Sequence, residues 1–373
     1  MKLVFVLRSV VTHGGVERAV VDKMNHLAEC GHLVLLVTYE QGQHPIEYPL
    51  LSIVNHNDLN CRMFPLYHLR QPIRIIKMLQ MKRTFKLRFH RLISDIRPDV
   101  IVTVTNAYDF MNEIMTAPYG KKIVESHGAF TSITKGNTWK ETVKSKLLLR
   151  AIMNSDLVIS LTQADSDCWK PYVKRVKSVP NHVSFYVDNI GMTPKKEGRI
   201  LYVGRLSLEK RIDRLIDAFS LIANRFPDWY VDIYGAGEIK EELKNLISKY
   251  KLNDCVHLLE PTHHIVDEYL KSQFIVLCSD NEGFGLVLVE AMACGLPCVS
   301  TRCPFGPLEI VEDGVTGILC DMNSRDLATK MEWMITHEAE RKQMGIMAHK
   351  AVARFKKENV MKEWEQAYFS VLE

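Results

Sequence analysis

Two acidic side chains flank a pair of glycines in the stretch from residue 281 to residue 297. An apolar, strand-like run ends near Cys278, the glycines permit a tight turn, and a helical pattern follows until Gly-Leu-Pro ends it. The helix N-terminus is therefore predicted to lie at the carboxyl edge of a sheet. Its free backbone N–H groups predict an anion site suited to a diphosphate, at Phe284, Gly285 and Leu286.

The two acids of this stretch have the chemistry to bind sugars. Glu290 lies a little over one turn into the predicted helix, where its carboxylate can accept hydrogen bonds from both hydroxyls of a ribose. Glu282 lies on the preceding loop and can bind hydroxyls of a second sugar. A nucleotide diphosphate that carries a sugar would satisfy both acids and the helix N-terminus together.

A second cluster of charge follows another predicted strand, in the stretch from Val203 to Lys210. Arg205 and Lys210 stand five residues apart, just before a predicted helix. A guanidinium and an ammonium at this spacing can flank a diphosphate, whose negative charge grows as a bond to it breaks. We expect the two cations to stabilise a leaving diphosphate.

These motifs resemble one known family. Glu282 and Glu290 form an E-x7-E pattern within E-G-F-G-L-V-L-V-E-A-M-A-C-G-x-P, which strongly resembles the family-4 glycosyltransferases of GT-B fold, and Arg205 with Lys210 looks like the G-R-x4-K element of that family. The resemblance implies retaining transfer of a hexose from a nucleotide diphosphate sugar, most often a UDP-sugar, without a metal ion or other cofactor. It also implies two Rossmann-like domains that face each other across a cleft.

Three weaker loops fit the same expectation. His127 follows a predicted strand, and a histidine at such a strand end contacts the donor sugar in the resembled family; a merely hydrogen-bonded strand-end histidine is the alternative. Gly14 and Gly15 resemble the family's glycine-rich loop and can direct N–H groups at the donor or acceptor, although a simple strand-to-helix turn explains them as well. Gly235 and Gly237 lack the third glycine of a dinucleotide fingerprint, and are read as a nucleotide-side loop or a plain tight turn.

The elements that must position these residues alternate between apolar strands and amphipathic helices, which predicts an α/β protein with two doubly wound parallel sheets. The clearest helix is predicted from Lys210 to Pro227. A polar stretch near residue 185 divides the chain into an acceptor-side domain, 1–184, and a nucleotide-sugar domain, 185–373, that includes a final helix. The predicted strands lie at Lys2–Leu7, His32–Thr38, Val100–Thr105, Lys122–Ser126, Leu157–Leu161, Arg199–Gly204, Tyr230–Gly235, Val256–Leu259, Phe274–Cys278 and Pro297–Thr301.

Charge separates the two halves. Residues 1–185 contain 25 Lys and Arg against 15 Asp and Glu, and the remainder contains 23 against 29. Eight cations without an intervening acid, interleaved with apolar residues, occupy residues 70–93 and predict a basic amphipathic helix or helix pair. This face can dock on an anionic membrane that presents a lipid-linked acceptor, or it can simply be solvated; no nucleic-acid motif accompanies it.

The composition, the cysteines and an apparent metal motif limit the class of protein. The composition, 47% hydrophobic and 25% charged, excludes a disordered or fibrous chain, and no apolar run is long enough for a transmembrane helix. Nine cysteines without paired metal-ligand spacing suit a reducing, cytoplasmic compartment, with any membrane contact peripheral at its inner face. Asp165 and Asp167 match a D-x-D metal motif, but are better explained as the acidic first turn of a helix, so no metal site is expected.

Two alternatives to transfer remain. A sugar-nucleotide epimerase of the same architecture would use the same donor motifs, and a catalytically idle protein could bind the sugar nucleotide without turnover. The segment from Cys303 to Ile310 resembles one found in bacterial members that transfer galactose- or glucose-type sugars, and it leaves the hexose open. The acceptor is expected to be a saccharide or lipid-linked precursor of a surface polysaccharide.

Overall fold

The chain forms two compact units, which a computed structural model describes over residues 1–11, 14–134, 138–191 and 195–373. Thr12 and His13 of the predicted glycine loop, and Pro194 of the predicted domain boundary, lie outside these residues.

The first unit comprises Met1–Pro180 together with Val360–Glu373. Its strands are β1 (Lys2–Leu7), β2 (Leu33–Thr38), β3 (Asn55–Asp58), β4 (Val100–Val104), β5 (Lys121–Ser126), β6 (Leu157–Ser160) and β7 (Val176–Ser178). They form one parallel sheet in the order β3-β2-β1-β4-β5-β6-β7. The helices that lie between β1 and β7 along the chain are α1 (Gly15–Glu29), α2 (Ile73–Ile96), α3 (Met111–Met115), α4 (Phe130–Thr134), α5 (Trp139–Ile152) and α6 (Gln163–Trp169).

The second unit comprises Asn181–Asn359. Its strands are β8 (Arg199–Val203), β9 (Tyr230–Tyr234), β10 (Val256–Leu259), β11 (Phe274–Leu277), β12 (Cys298–Thr301) and β13 (Gly317–Cys320), in the parallel order β10-β9-β8-β11-β12-β13. The helices are α7 (Ile212–Ser220), α8 (Lys240–Lys249), α9 (Ile265–Lys271), α10 (Leu286–Ala293), α11 (Gly306–Ile310), α12 (Ser324–Thr336) and α13 (Glu338–Ala351); the chain ends with α14 (Lys357–Phe369). The prediction of two doubly wound parallel sheets is confirmed.

The order of the strands fixes where a ligand can bind. In the first sheet the direction of winding reverses between β1 and β4, and in the second it reverses between β8 and β11. Loops leave opposite faces of the sheet at such a point, so a crevice opens beyond the carboxyl ends of the two strands. The loops after β8 and β11 are the ones that carry the two charged motifs found in the sequence.

Helices cover both faces of each sheet, so the central strands are buried on both sides and consist of continuous apolar runs. Every residue of β4, β11 and β12 is buried. Helix α7 covers the second sheet with four fully buried side chains, Ile212, Leu215, Ile216 and Phe219. It ends at Ser220, earlier than the sequence predicts, because the chain tightens into i→i−3 hydrogen bonds from Leu221 onward.

The final helix belongs with the first unit, whereas the sequence placed it in the second domain. Trp364 Nε1 donates to the Pro180 carbonyl at 2.8 Å, and the Tyr368 hydroxyl donates to the carboxylate of Glu125. Both side chains are almost completely buried. The apolar face of α14 was visible in the sequence, but its packing partner in β5 lies more than 240 residues away along the chain.

No helix among the described residues is both long enough and apolar enough to span a membrane.

Two glycines after β9 allow its loop to lie directly against the loop after β8. A Cβ on Gly235 would lie 2.0 Å from the Gly204 carbonyl oxygen, and one on Gly237 would lie 2.1 Å from that of Leu206. Backbone hydrogen bonds join the same loops, among them Leu206 N–H to Ala236 O at 2.9 Å. The glycine loop therefore supports the turn that carries the first charged motif.

We predict that Gly237→Ala destabilises the second unit. All three nearest atoms to the added methyl belong to the Leu206 backbone, which cannot rotate away, so overpacking should cost about 1–3 kcal/mol and lower the thermal unfolding midpoint by several degrees. Gly128→Ala is the matched control, because nothing lies within 4 Å of its added Cβ. Differential scanning calorimetry checks both, and an unchanged midpoint for Gly237→Ala would contradict the packing argument.

Candidate functional site

A largely buried ion pair in the second unit's strand-end loops joins Lys210 to Glu282. Lys210 Nζ lies 2.6 Å from Glu282 Oε1, and only 19% and 10% of the two side chains are exposed. Ser279 Oγ donates to the same carboxylate oxygen at 2.7 Å. The structure therefore holds the ammonium and the carboxylate together at the point where β8 and β11 diverge.

Backbone contacts fix both partners of this pair. Lys210 ends a short 3-10 turn, and its carbonyl accepts from Cys278 Sγ at 3.2 Å. The Glu282 carbonyl accepts from Gly306 N at 3.3 Å. Gly306 is required for this approach, since a Cβ there would lie 1.7 Å from the Phe284 carbonyl oxygen. Lys210 and Glu282 are 72 positions apart in the sequence, and the sheet brings them together.

Arg205 lies differently from its predicted partner. Its side chain is 75% exposed and pairs with Glu209 at 2.9 Å, four residues along the chain. Among the described residues it makes no contact with Lys210 or Glu282. The prediction that Arg205 flanks a diphosphate therefore requires a movement of an exposed side chain, and it stays a prediction.

Helix α10 begins with a glycine in the left-handed region. Gly285 has φ 95° and ψ 53°, a conformation that a Cβ would strain. Within the described residues, no hydrogen-bond acceptor lies opposite the backbone N–H groups of Phe284, Gly285 and Leu286. The Phe284 ring itself is buried and packs edge-on against Phe355 at 5.5 Å, so this residue offers its backbone.

Glu290 lies one turn further along α10 and is half-buried. Its Oε2 accepts from the Tyr269 hydroxyl at 3.0 Å. Because a carboxylate has about four acceptor positions, a tyrosine partner leaves room for ribose hydroxyls. Tyr269 was not found by sequence reasoning; it is fully buried on α9, and only the fold places it beside Glu290.

The predicted glycine loop of the first unit starts α1. Gly14 is its N-cap residue, with extended backbone angles, and its carbonyl accepts from the Tyr48 hydroxyl at 3.2 Å. A Cβ on Gly14 would lie 2.0 Å from Glu17 Oε2. Gly15 is the first residue of the helix. The geometry matches the strand-to-helix turn, and a ligand role for both glycines stays a prediction.

His127 follows β5, as predicted, and its side chain is only 2% exposed. Its Nε2 lies 2.7 Å from Glu125 Oε2, while its Nδ1 is buried and has no hydrogen-bond partner among the described residues. The pKa of His127 is lowered, mainly by burial and also by the nearby Lys23 ammonium. Neither Glu125 nor Lys23 was singled out in the sequence, although Glu125 is two residues from the histidine.

Other charged residues at the strand ends were also missed. Arg214, which is buried, donates to the Cys278 carbonyl at 2.7 Å and to Asp280 at 2.6 Å, and Arg211 also pairs with Asp280. Although burial alone would raise it, these two guanidinium groups lower the pKa of Asp280. Each of these residues stands within four positions of a predicted motif, which is the signal that could have found them.

A comparable cluster lies at the switch point of the first sheet. Asp109 follows β4, its Oδ1 accepts from the Tyr67 hydroxyl at 2.5 Å, and its Oδ2 is buried without a hydrogen-bond partner in the described residues. Burial raises the pKa of Asp109. Arg8, directly after β1, pairs with Glu40 at 2.5 Å. A polar group with unmet hydrogen-bonding capacity therefore lies where a ligand of the first unit is expected.

One group of the described residues has the geometry to hold a metal ion. Ligand atoms of His26, Cys30 and Glu365 lie within 4.8 Å of one another. These residues belong to α1 and α14 and not to the junction at α10. The D-x-D acids lie elsewhere: Asp165 is in the first turn of α6 and accepts from Phe130 N at 2.7 Å, while Asp167 pairs with Lys170.

Comparisons with known proteins agree over nearly the whole chain. Residues 188–351 match Glycosyl transferases group 1, and residues 13–185 match Glycosyltransferase Family 4. The chain is 26% identical to an uncharacterised glycosyltransferase of Haemophilus influenzae, over 98% of this chain and 99% of that protein. It is 26% identical to the amylovoran biosynthesis glycosyltransferase AmsD of Erwinia amylovora, over 87% of this chain and 94% of that protein.

A solved structure shares the fold. A mutant of S. aureus TarM in complex with fondaparinux, alpha-GlcNAc-glycerol and UDP superposes with a TM-score of 0.78 at 13% identity, covering 98% of this chain and 99% of that one. The two doubly wound sheets and the strand-to-helix junction at α10 define an α/β transferase of GT-B fold. The chain belongs to the family-4 glycosyltransferases, as its E-x7-E and G-R-x4-K motifs predicted.

We predict that Glu290→Gln weakens UDP binding by about 10- to 100-fold, since hydrogen bonds to an ionised group contribute about 1.5–3 kcal/mol. Isothermal titration calorimetry with UDP measures the change. Glu242→Gln, at an exposed position of α8, is the control and should bind UDP as the parent protein does. Equal UDP affinity for the Glu290 variant and the parent would rule out the ribose contact.

Proposed function

We propose that this chain transfers a hexose from a UDP-sugar to a saccharide or lipid-linked acceptor with retention of the anomeric configuration, in the biosynthesis of a surface polysaccharide. The observation that carries the proposal is the Lys210–Glu282 pair, held at 2.6 Å on the loop that leads into α10, whose first amides have no acceptor among the described residues. A fixed cation and free N–H groups at one strand edge suit the diphosphate of a sugar nucleotide.

The donor would bind by its charges and hydroxyls. The N–H groups of Gly285 and Leu286 and the Lys210 ammonium would hold the diphosphate, and Glu290 would hold the ribose. Glu282, already a partner of Lys210, would turn its second oxygen to hydroxyls of the transferred sugar. Phe284 would contribute its backbone N–H, and the loop with Gly235 and Gly237 would support the turn after β8.

Arg205 can join the diphosphate at small cost. Its pair with Glu209 is exposed, and exposed ion pairs contribute only about 0–1 kcal/mol. A doubly charged diphosphate in a partly dehydrated site attracts a guanidinium more strongly than one carboxylate in water does. The pair with Glu209 therefore does not oppose the predicted role of Arg205 in binding the leaving group.

Catalysis would consist of positioning and charge stabilisation. As the glycosidic bond breaks, negative charge develops on the departing diphosphate, and the cations Lys210 and Arg205 with the α10 amides stabilise it without a metal ion. The acceptor hydroxyl attacks from the same face, and the departing phosphate takes its proton. His127 would contact the sugar, and the polar group around Asp109 would contact the acceptor.

The names of the relatives favour this substrate class. AmsD is a glycosyltransferase of amylovoran biosynthesis, and the TarM complex contains UDP. All nine cysteines are free thiols, six of them buried, which suits a reducing, cytoplasmic location.

We predict that Lys210→Ala lowers the rate of transfer by on the order of 10², the scale for the loss of one transition-state charge partner. Single-turnover assays with a panel of UDP-hexoses and saccharide acceptors measure it. Lys244→Ala is the matched control, since Lys244 forms an exposed ion pair with Glu241 on α8. A folded Lys210→Ala protein with the parent's rate would remove Lys210 from the reaction.

The same assay separates transfer from the alternative activities. An epimerase would convert the UDP-sugar into its isomer with no acceptor present, and an idle binding protein would leave the donor unchanged. Product chromatography therefore decides among the three by showing a new glycoside, a new UDP-sugar or neither.

Helix α2 supports a peripheral contact with an anionic membrane. Only Phe85, Phe89 and Ile93 of its 24 residues are buried, all in its second half. Its first two turns expose four large apolar side chains, between 52% and 56% each, at Ile73, Ile75, Ile76 and Leu79. Cations follow the same turns, and each Lys or Arg near an anionic surface contributes about 1 kcal/mol.

We predict that the protein floats with phosphatidylglycerol-containing liposomes at low salt and is released as the salt concentration rises. Replacing Ile75, Ile76 and Leu79 together with Ser should abolish flotation, because the apolar anchor is lost. Leu221→Ser, at a residue of the second unit that is 55% exposed, should leave it intact. No binding of the parent protein at low salt would remove the membrane contact.

A further inference from the structure

A buried charge network surrounds the carboxylate of Glu125 at the end of β5. Glu125 is completely buried and receives three partners: the Lys23 ammonium from α1, Nε2 of His127 at 2.7 Å, and the Tyr368 hydroxyl from α14. Lys23 is itself 1% exposed, and its Nζ lies 3.5 Å from the centre of the Trp364 ring. Three separate segments of the chain converge on one acid.

The network keeps Glu125 ionised. Burial alone would raise its pKa, but the Lys23 charge and the hydrogen bonds from His127 and Lys23 lower it to about 2. An ionised carboxylate only accepts hydrogen bonds, so each of its three neighbours must donate to it. Nε2 of His127 therefore carries a hydrogen.

The imidazole is also kept neutral. It is buried beside the Lys23 ammonium, which already compensates the charge of Glu125, so a second cation would be both dehydrated and repelled. A neutral imidazole with its hydrogen on Nε2 has a lone pair on Nδ1. That nitrogen is the buried atom without a partner in the described residues.

We propose that Glu125, Lys23 and Tyr368 are positioning residues that fix His127 in its Nε2–H form, so that Nδ1 is a hydrogen-bond acceptor for a hydroxyl or N–H group of the sugar substrate. This rests on the proposed transfer function. Nδ1 in this form cannot donate to a phosphate or ether oxygen. The residue would therefore select a substrate by a free hydroxyl or amide and take no part in binding the diphosphate.

The network also assigns a role to the last helix. Tyr368 and Trp364, which contact Glu125 and Lys23, both lie on α14. The helix follows the second unit in the chain yet completes the network of the first unit. Its contribution to the reaction would be to hold a histidine ring in one orientation and one protonation form, through Glu125.

Nitrogen NMR of the ligand-free protein labelled with ¹⁵N-histidine tests the first part, because protonated and unprotonated ring nitrogens resonate far apart. The His127 signals are identified by their loss in His127→Gln. We expect one protonated nitrogen, coupled to Hε2, and an unprotonated Nδ1 at pH 7. A doubly protonated ring, or a hydrogen on Nδ1, would overturn the proposal.

A matched pair of variants distinguishes positioning from mere packing. Glu125→Met keeps about the length of the side chain but offers no acceptor, so the Nε2–H of His127 loses its partner, both ring tautomers should appear in the NMR spectrum and transfer should fall by on the order of 10² to 10⁴, while UDP affinity stays unchanged. If the unpaired Lys23 charge prevents folding, the double variant Lys23→Met with Glu125→Met removes it. Retention of the Nε2–H form and of the parent rate would overturn the proposal.

The substrate contact has its own readout. UDP-glucose, UDP-galactose and UDP-N-acetylglucosamine are each added to the labelled protein, with UDP alone as the control. The Nδ1 signal should shift with the sugar nucleotide that is turned over and not with UDP. If the Nδ1 signal does not move with a sugar nucleotide that is turned over, the substrate contact is wrong. If no acceptor gives turnover although the ligand-free histidine has the expected Nε2–H form, the transfer function is wrong instead.

Discussion

The candidate site depends on a property of doubly wound parallel sheets. Where the winding order reverses, the loops after two neighbouring strands lie on opposite faces of the sheet, and polar side chains on these loops can meet beyond the strand ends. In the second unit this place lies beyond β8 and β11, and Lys210 contacts Glu282 there at a sequence separation of 72. The ammonium is held by Glu282 Oε1, which also accepts from the Ser279 hydroxyl. The diphosphate of the proposed donor would therefore meet a cation that is already in place.

The first unit applies the same constraint to different chemistry. Its strand ends carry Arg8, Glu40 and Asp109 at the switch point, and the Glu125 network one strand further along the sheet. Each group has one buried acceptor atom for which the described residues provide no hydrogen-bond partner, Asp109 Oδ2 and His127 Nδ1. Under the proposed function, acceptor atoms of this kind would bind hydroxyl groups of a sugar.

Much of the fold was predictable, and each failure has a physical cause. Central strands such as β1, β4 and β8 are continuous apolar runs, which is what burial on both faces requires. The three strands that sequence reasoning missed, β3, β7 and β13, all lie at sheet edges. β3 reads Asn-His-Asn-Asp, because an edge strand needs little apolar surface, whereas β13 is buried but is only four residues long. The unit to which α14 belongs could not be read locally, since its partners Lys23 and Glu125 are distant in sequence.

The candidate site also has parts that local sequence patterns predict and parts that they do not. Glu282, Glu290 and Lys210 could be proposed because glycines and charges coincide at strand-to-helix junctions, and all three lie within the residues that match the family model. Side-chain pairing could not be found: the sequence treated Arg205 and Lys210 alike, whereas one is exposed with Glu209 and the other is enclosed with Glu282. Ion pairs depend on distances that only the folded chain sets.

The most direct test of the central claim is a crystal structure of the protein with UDP. The account predicts that the β-phosphate lies within hydrogen-bond distance of the Gly285 and Leu286 N–H groups and of Lys210 Nζ. Phosphates bound at another edge of the second sheet, or a Lys210 that stays on Glu282 and does not touch the nucleotide, would contradict it.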